Sequence, residues 1–240
     1  MSVGPAPVRP ARGRVWRVIV GILIAIVVVL GVLAGVTGLR ALSYDRFWKD
    51  RAAEHPAPDA FVLLALGDSA TVAVGALDPM NGYVGRASAL ITERTGRPVH
   101  IVNLAVGGAT TGDVIETQLP GFDPADADLV LIGTSNDLDQ RVPLDRYREH
   151  LETLLSAVPA ERTVMSDLPL LPGRDPYQAV FAEVADRHGI ARADFAAVFT
   201  GDGHRLDIFS LLPPHLNDLG YGYWFEAYRP GIESILDGTP

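Results

Sequence analysis

Residues 61–69 read FVLLALGDS, an unbroken apolar run that ends in Gly67, Asp68 and Ser69. An apolar run of this length is typical of a strand that is buried on both faces of a parallel sheet. Glycine permits a sharp exit from such a strand, which puts the hydroxyl of Ser69 just beyond its carboxyl end. Because ligands of open parallel sheets bind at that end of the strands, Ser69 is a candidate functional residue.

From Phe61 onward, short apolar or β-branched runs alternate with helical patterns. We predict five strands, at residues 61–66, 99–103, 129–132, 163–166 and 190–194. Helices are predicted at residues 83–95, 111–118, 144–157, 176–188 and 219–236. This alternation is typical of an α/β fold in which helices cover both faces of a parallel sheet.

The segment before this domain has a different composition. Residues 18–39 contain no charged side chain and are long enough, at about 1.5 Å per residue, to cross about 30 Å of hydrocarbon. We predict a cytoplasmic basic tail at residues 1–17, one transmembrane helix at 18–39, a short amphipathic stalk at 40–60 and a globular domain at 61–240. The positive-inside rule orients that domain to the outside of the cytoplasmic membrane. The alternative is a signal peptide that is cleaved to release a secreted domain.

The charge and the cysteine content exclude several classes of function. The chain has a net charge of −9 although four of its 20 Lys and Arg residues lie in the first seventeen positions. The remainder is therefore more acidic still and repels phosphate backbones, so no nucleic-acid partner is expected. Without cysteine, the chain has neither disulfides, a thiol nucleophile nor a thiolate metal site. It also lacks the HExxH and EF-hand spacings, and neither a metal nor another cofactor is predicted.

Three further polar segments carry candidate chemistry. They read NLAVGGATT at residues 103–111, GTSND at 133–137 and HLND at 215–218; the first two follow predicted strands and the third precedes the last predicted helix. Together with Ser69 they supply a hydroxyl nucleophile, a flexible backbone N–H donor, a side-chain amide and an imidazole base. An acyl-transfer site needs these parts, which indicates ester hydrolysis.

The four segments resemble, in type and order, the sequence blocks of the SGNH or GDSL hydrolase family of lipase-like esterases and acylhydrolases. The resemblance covers about residues 61–228 and implies a flavodoxin-like, three-layer α/β/α sandwich with a five-stranded parallel sheet. It also implies that Ser69 is the nucleophile and that His215, alone among the six histidines in preceding such a block, is the general base. The backbone N–H groups of Ser69 and Gly108, with the side-chain amide of Asn136, would form the oxyanion hole.

Two small departures from the family pattern surround these residues. Ala70 stands where the family most often has leucine, and Gly133 lies three residues before Asn136, where the family has its glycine two residues before. The first difference is expected to shape the pocket wall and the second to reflect a local bulge. Asp68 and Asp137 are expected to structure their loops through hydrogen bonds to the backbone.

The larger departure concerns the acid that orients the base. The family places this acid three residues before the histidine, where the present chain has Leu212. Asp207, or with less support Asp202, could reach His215 from an altered loop. A backbone carbonyl could instead replace the carboxylate to give a Ser-His dyad, or the domain could have little or no activity, because an orienting carboxylate contributes about 10⁴ in rate in one well-studied triad.

The sequence thus predicts a serine esterase or acylhydrolase that cleaves carboxylic esters, of lipids, acylated glycans or other small molecules, through an acyl-enzyme. Two alternatives stay open. One is a catalytically impaired domain that binds envelope glycan or lipid, which the leucine at position 212 motivates. The other is a transacylase, in which a sugar hydroxyl replaces water as the acyl acceptor.

Overall fold

A computed structural model of the chain describes residues 12–169, 172–202, 207–210 and 215–238. Most of the predicted basic tail lies outside these ranges, and so does Leu212. Asp202, the second candidate acid, belongs to a described helix, but its side chain is not among those described.

Five parallel strands form one sheet in the order β2-β1-β3-β4-β5. The strands are β1 Phe61–Gly67, β2 Val99–Asn103, β3 Leu129–Gly133, β4 Thr163–Ser166 and β5 Ala191–Ala193. The register pairs Ala65 with Asn103 and Gly67 with Gly133, so β1 and both of its neighbours end at the same edge. The connections reverse direction between β1 and β3, which is the point where ligands bind in sheets of this strand order.

Helices cover both faces of the sheet. They are α1 Arg12–Ala52, α2 Tyr83–Thr95, α3 Thr111–Asp113, α4 Asn136–Asp139, α5 Leu144–Ser156, α6 Arg174–His188, α7 Phe195–Asp202 and α8 Asp218–Gly238. A π-helical turn, Val114–Gln118, continues α3. On one face, α2 and α8 pack with Leu63 and Leu131. On the other face, α5 and α6 pack with Leu64 and Val130. Because the alternate residues of β1 and β3 belong to different cores, the predicted α/β/α sandwich is confirmed.

Two elements differ from the sequence prediction. Helix α7, with the sequence FAAVFTGD, lies in a segment to which no element was assigned, since its first five residues are all apolar and show no helical periodicity. The predicted helix at residues 111–118 consists of the short α3 and the π-helical turn that follows it. The other predicted strands and helices in the domain agree with the structure to within about two residues at either end.

Helix α1 runs without interruption through the predicted membrane span and most of the predicted stalk. Its range Trp16–Ala52 is long and apolar enough to cross a membrane, with a window of mean hydropathy 3.2 of which no residue is buried. Near its other end, Tyr44 and Trp48 are buried in the same core as α2 and α8. The hydroxyl of Tyr44 donates to the carbonyl oxygen of Ala76 at 2.8 Å. The end of α1 is therefore packed on the domain and not separated from it.

Candidate active site

Ser69 lies two residues beyond the end of β1, in a turn that requires glycine at position 67. Gly67 has a φ of +149°, and a Cβ atom there would collide with the carbonyl oxygen of Gly133 and with Oγ1 of Thr71. The side chain of Gln118 fixes this strand end, since its amide donates to the carbonyl oxygen of Gly67 and accepts from its N–H, both at 2.8 Å. Ser69 itself is half-buried.

Asp68 connects the loop after β1 to the loop after β3. Its buried carboxylate accepts hydrogen bonds from the N–H of Ala70 at 2.9 Å, from the N–H and hydroxyl of Ser135 at 2.9 Å each, and from the amide of Asn136 at 3.1 Å. Burial raises the pKa of Asp68, while the hydrogen bonds from Ala70 and Ser135 oppose that rise. These contacts set the spacing between Ser69 and Asn136.

The loop after β2 passes beside Ser69. The amide of Asn103, the last residue of β2, donates to the carbonyl oxygen of Thr71 at 3.0 Å and so joins this loop to the turn after β1. A Cβ atom at Gly107 would lie 3.9 Å from the Cβ of Ser69. Gly108 has a φ of +83°, a left-handed conformation that favours glycine. The backbone of this loop is therefore close enough to contact a ligand bound at Ser69.

Asn136 begins α4 at the end of β3, and two acceptors orient its side chain. Its Nδ2 donates to Oδ2 of Asp68 at 3.1 Å and to the carbonyl oxygen of Ala109 at 3.2 Å. Both distances lie at the long end of the usual range for N–H···O hydrogen bonds. The amide nitrogen thus faces the loops that follow β1 and β2. Both of its hydrogen bonds are long.

Asp137 connects the loop after β3 to the start of α3. Its Oδ2 accepts from the N–H of Thr111 at 2.8 Å and from the hydroxyl of Thr111 at 2.7 Å. Burial raises the pKa of Asp137, and the bonds from Thr111 lower it. Thr110 and Asp113 form a capping box at the same helix start, with the N–H of Thr110 donating to Asp113 at 2.8 Å. These bonds fix the end of the glycine loop.

His215 lies just before α8, in a loop that packs on the turn after β1. The N–H of Ser210 donates to the carbonyl oxygen of His215 at 2.9 Å, and Phe209 and Leu216 form an antiparallel bridge. At Gly75, which has a φ of +99°, a Cβ atom would lie 3.0 Å from the Cβ of His215. Glycine at position 75 therefore allows the histidine loop to approach the turn that carries the serine.

Asp207, the carboxylate predicted to orient the imidazole, belongs to the segment that pairs with the histidine loop. Its side chain is exposed, and its backbone carbonyl oxygen accepts a hydrogen bond from Nδ2 of Asn217. The same amide also donates to the carbonyl oxygen of Phe209 at 3.1 Å. Asp207 is thus held near the histidine loop, and a pairing of its carboxylate with His215 stays a prediction.

Five of the predicted site residues line one cavity of about 520 Å³: Asp68, Ser69, Gly108, Asn136 and His215. That volume suits a small organic ligand. Sequence reasoning missed the apolar part of the wall, which comes from Val74, Phe195, Phe199, Ile208 and Trp224. Much of it was not predictable, because α7 was not predicted and contributes two of these side chains.

Two buried tyrosines of α8 form hydrogen bonds with segments near this cavity. The hydroxyl of Tyr221 donates to the carbonyl oxygen of Val74 at 2.7 Å, and that of Tyr228 donates to the carbonyl oxygen of Ile132 at 2.5 Å. Buried tyrosines with satisfied hydroxyls rigidify their surroundings. Among the residues that the structure describes, no group of three or more His, Asp or Glu side chains could hold a metal ion.

A doubly wound sheet with a serine, an asparagine and a histidine around one cavity at its carboxyl edge defines a hydrolase of the SGNH class. A model of the GDSL-like lipase/acylhydrolase family matches residues 65–223, and the chain belongs to this family.

Solved structures of this class have the same fold. The lipase/acylhydrolase from Enterococcus faecalis is 22% identical, with 74% of this chain and 96% of that chain covered and a TM-score of 0.62. TesA is 21% identical, with 72% and 99% covered and a TM-score of 0.61. Axe2, an acetylxylan esterase from Geobacillus stearothermophilus, is 19% identical, with 73% and 96% covered and a TM-score of 0.57. A search of curated protein sequences gave no match.

Proposed function

We propose that this chain hydrolyses carboxylic esters through an acyl-enzyme formed on Ser69. The observation that carries the proposal is that Ser69 and His215, 146 positions apart in the chain, line the same cavity. His215 takes the hydroxyl proton as Oγ of Ser69 attacks the acyl carbon, and it gives that proton to the leaving alcohol. Water then attacks the acyl-enzyme with the same base and releases the acid.

The oxyanion of each tetrahedral intermediate is held by the N–H groups of Ser69 and Gly108 and by Nδ2 of Asn136. The amide is already oriented by its bonds to Asp68 and to the carbonyl oxygen of Ala109. A charge-assisted bond to an oxyanion is shorter and about twice as strong as a neutral one, so the oxyanion displaces the 3.2 Å bond to Ala109.

Asp207 is proposed as the acid that holds the imidazole of His215 in the reactive tautomer. The position of Asp207 supports this role. Asp207 belongs to the segment that pairs with the histidine loop through the bridge between Phe209 and Leu216. If the carboxylate of Asp207 does not accept a hydrogen bond from His215, a backbone carbonyl accepts it instead and the site works as a Ser-His dyad.

We further propose that residues 18–39 cross the cytoplasmic membrane once, with the domain outside the cytoplasm. The apolar window of α1, of which no residue is buried, supports a span, and the arginines at positions 12, 14 and 17 support this orientation. The chain should then stay in the membrane fraction after alkaline extraction, at the mass of the uncleaved polypeptide. A shortened, freely soluble product supports a cleaved signal peptide instead.

The substrate is an ester with an acyl group on a lipid or glycan alcohol, as the names of the similar lipase and acetylxylan esterase suggest for this chain. The test uses the full chain in detergent micelles with p-nitrophenyl acetate. Ser69→Ala should lower turnover by about 10⁴ to 10⁶, whereas Ser156→Ala, which removes an exposed hydroxyl on α5, should not change it. Equal turnover of the wild type and Ser69→Ala would refute the proposal.

A fluorophosphonate probe and product analysis separate the alternatives. An activated Ser69 reacts covalently with the probe, whereas a domain that only binds glycan or lipid neither turns over esters nor reacts. A transacylase reacts with the probe but, with a polyol acceptor present, gives an acylated polyol in place of free acid.

A further inference from the structure

The cavity of Ser69 is not walled by the globular domain alone. Gly38, at the end of the predicted membrane span in α1, lines it together with Ser69 and His215. A second cavity lies alongside the same helix, between α1 and the rim of the domain. The rim is the part of the domain that contributes Leu77, Phe209 and Leu219 to the lining of this second cavity. Helix α1 contributes Leu33, Val36 and Arg40.

Two buried contacts fix the position of α1 relative to these cavities. Tyr44 and Trp48 are one helical turn apart, and both bond to carbonyl groups in the segment that follows Ser69. From Trp48 to Gly38 the helix spans about 15 Å, at about 1.5 Å per residue, and from Gly38 to Leu33 about 8 Å more. The rim of the domain therefore lies beside the last two turns of the apolar segment.

The rim itself exposes large apolar side chains. Leu77 is 74% exposed and Leu219 is 47% exposed, and both line the second cavity with Leu33 and Val36. A bilayer that covers the apolar surface of α1 up to Leu33 and Val36 also reaches the rim. It contacts Leu77 and Leu219 there. Arg40, one turn further along α1, is then at the level of the lipid headgroups, where a long cationic side chain is favoured.

We propose that the cavity of Ser69 opens onto the membrane surface and takes its substrate, the acyl ester of a membrane lipid, directly from the leaflet around the end of α1. This inference rests on the esterase activity proposed above. An acyl chain that leaves the bilayer there passes the apolar rim and enters a cavity whose wall is formed by Phe195, Phe199 and Trp224, so it need not cross water.

The reaction at this site conserves all atoms of the lipid and one water. Oγ of Ser69 bonds to the acyl carbon, the bond from that carbon to the lipid alcohol breaks, and the alcohol leaves with the proton carried by His215. The deacylated lipid stays at the surface. Water then forms the new bond to the acyl carbon, and the free fatty acid leaves as Ser69 regains its proton.

The first experiment measures where the rim lies in a bilayer. Because the chain has no cysteine, Leu77→Cys gives a single site for a nitrobenzoxadiazole fluorophore. Leu144→Cys is the matched control, a 38% exposed leucine at the start of α5 on the other face of the sheet. With the full chain in phosphatidylcholine and phosphatidylglycerol vesicles, we expect lipid-borne doxyl groups to quench the label at position 77 and iodide to quench it several-fold less than the label at 144. Equal quenching by iodide at both positions overturns the proposal.

The second experiment asks whether the rim matters only for substrate in the membrane. The double variant Leu77→Gln with Leu219→Gln keeps the side-chain length and adds no charge, and neither residue lines the cavity of Ser69. We expect its hydrolysis of a phospholipid ester in vesicles to fall about tenfold or more, since two apolar contacts with lipid are lost, with p-nitrophenyl acetate turnover unchanged. Leu144→Gln should change neither rate.

The outcomes distinguish this inference from the proposed function. Unchanged hydrolysis of the vesicle lipid by the double variant, or an equal fall with both substrates, overturns the membrane-facing site while leaving an esterase in place. A wild type that hydrolyses neither substrate and does not react with fluorophosphonate refutes the esterase itself.

Discussion

The indole nitrogen of Trp48, near the end of α1, donates a hydrogen bond of 3.0 Å to the carbonyl oxygen of Val72, three residues beyond Ser69. Trp48 is only 2% exposed. The helix that carries the apolar N-terminal segment is therefore bonded directly to the turn that carries the candidate nucleophile. A change in the packing of α1 should therefore alter the position of this turn.

Trp48→Phe keeps an aromatic ring but removes the only hydrogen of the indole that can bond to Val72. Leaving a buried carbonyl without its partner costs about 1–3 kcal/mol, so the free energy of unfolding should fall by that amount. The measurement is a denaturant titration of the full chain in detergent. Trp16→Phe, at a side chain that is 67% exposed, is the control and should not shift the midpoint. Identical midpoints for both variants contradict the structural role of this bond.

Gly108→Ala tests the left-handed backbone of the glycine loop. No atom lies within 4 Å of the added Cβ, so its cost is conformational, about 1–2 kcal/mol. Gly96→Ala, at a φ of +68° in the C-cap of α2 and also with open space around it, should lose similar stability. We expect only Gly108→Ala to lower kcat for p-nitrophenyl acetate, because its N–H is proposed to hold the oxyanion. Equal kcat values in the two variants argue against that donor.

Asn136→Ala removes a donor that is proposed to bind the oxyanion only in the transition state. We expect kcat to fall by about 10² to 10³ with little change in KM. Asn81→Ala is the matched control, because its amide bonds to Asp218 and does not line the Ser69 cavity. The measurement is kcat and KM of both variants by steady-state kinetics on the purified full chain. A rise in KM at constant kcat would instead assign Asn136 to ground-state binding.

Asp207→Asn and Asp202→Asn decide which acid orients His215. The responsible residue should show a fall in kcat of up to about 10⁴, since an amide favours the wrong imidazole tautomer. The other variant serves as its control for the loss of one negative charge. Unchanged kcat in both variants identifies a dyad without a side-chain carboxylate.

Asp113→Asn tests the capping box at the start of α3. Hydrogen bonds from the backbone and then the hydroxyl of Thr110 are the main causes that lower the pKa of Asp113 below 3.8. A carboxylate with a lowered pKa stabilises the folded state above its unfolded pKa, and this contribution is lost as the pH falls through the folded pKa.

The difference in unfolding free energy between the wild type and Asp113→Asn should therefore be constant above roughly pH 5 and shrink toward roughly pH 3. Denaturant titrations across this range measure it. Asp126→Asn, at an exposed side chain that ends the one-turn 3₁₀ helix Pro124–Asp126, controls for the change in net charge. A difference that grows as the pH falls would mean that the carboxylate is destabilising in the folded chain.

The fold was predictable because β1 and β3, at the centre of the sheet, are continuous apolar runs, and short β-branched or apolar runs alternate with helical patterns in the rest of the domain. The segment 61–67 shows this, since its residues alternate between two buried cores and no polar face is left to obscure the pattern. The rule that ligands bind at the carboxyl ends of parallel strands likewise predicts from the sequence that Ser69, Gly108 and Asn136 lie at one edge.

The surroundings of the site were not predictable, because they depend on contacts between distant segments. Tyr44 and Trp48 lie on one face of a helix, but their spacing does not say which surface that face packs against. Helix α7 has no polar face to mark it, so the aromatic wall formed by Phe195 and Phe199 was missed. The partner of His215 was not predictable because the position where the family has its acid holds a leucine.

The bidentate contact between Gln118 and Gly67 joins the end of β1 to the π-helical turn that follows α3. A side-chain amide occupies both backbone groups at the last residue of β1, so the strand cannot fray there without also dislodging the π-helical turn. The turn that carries Ser69 is therefore anchored to a segment 51 positions further along the chain.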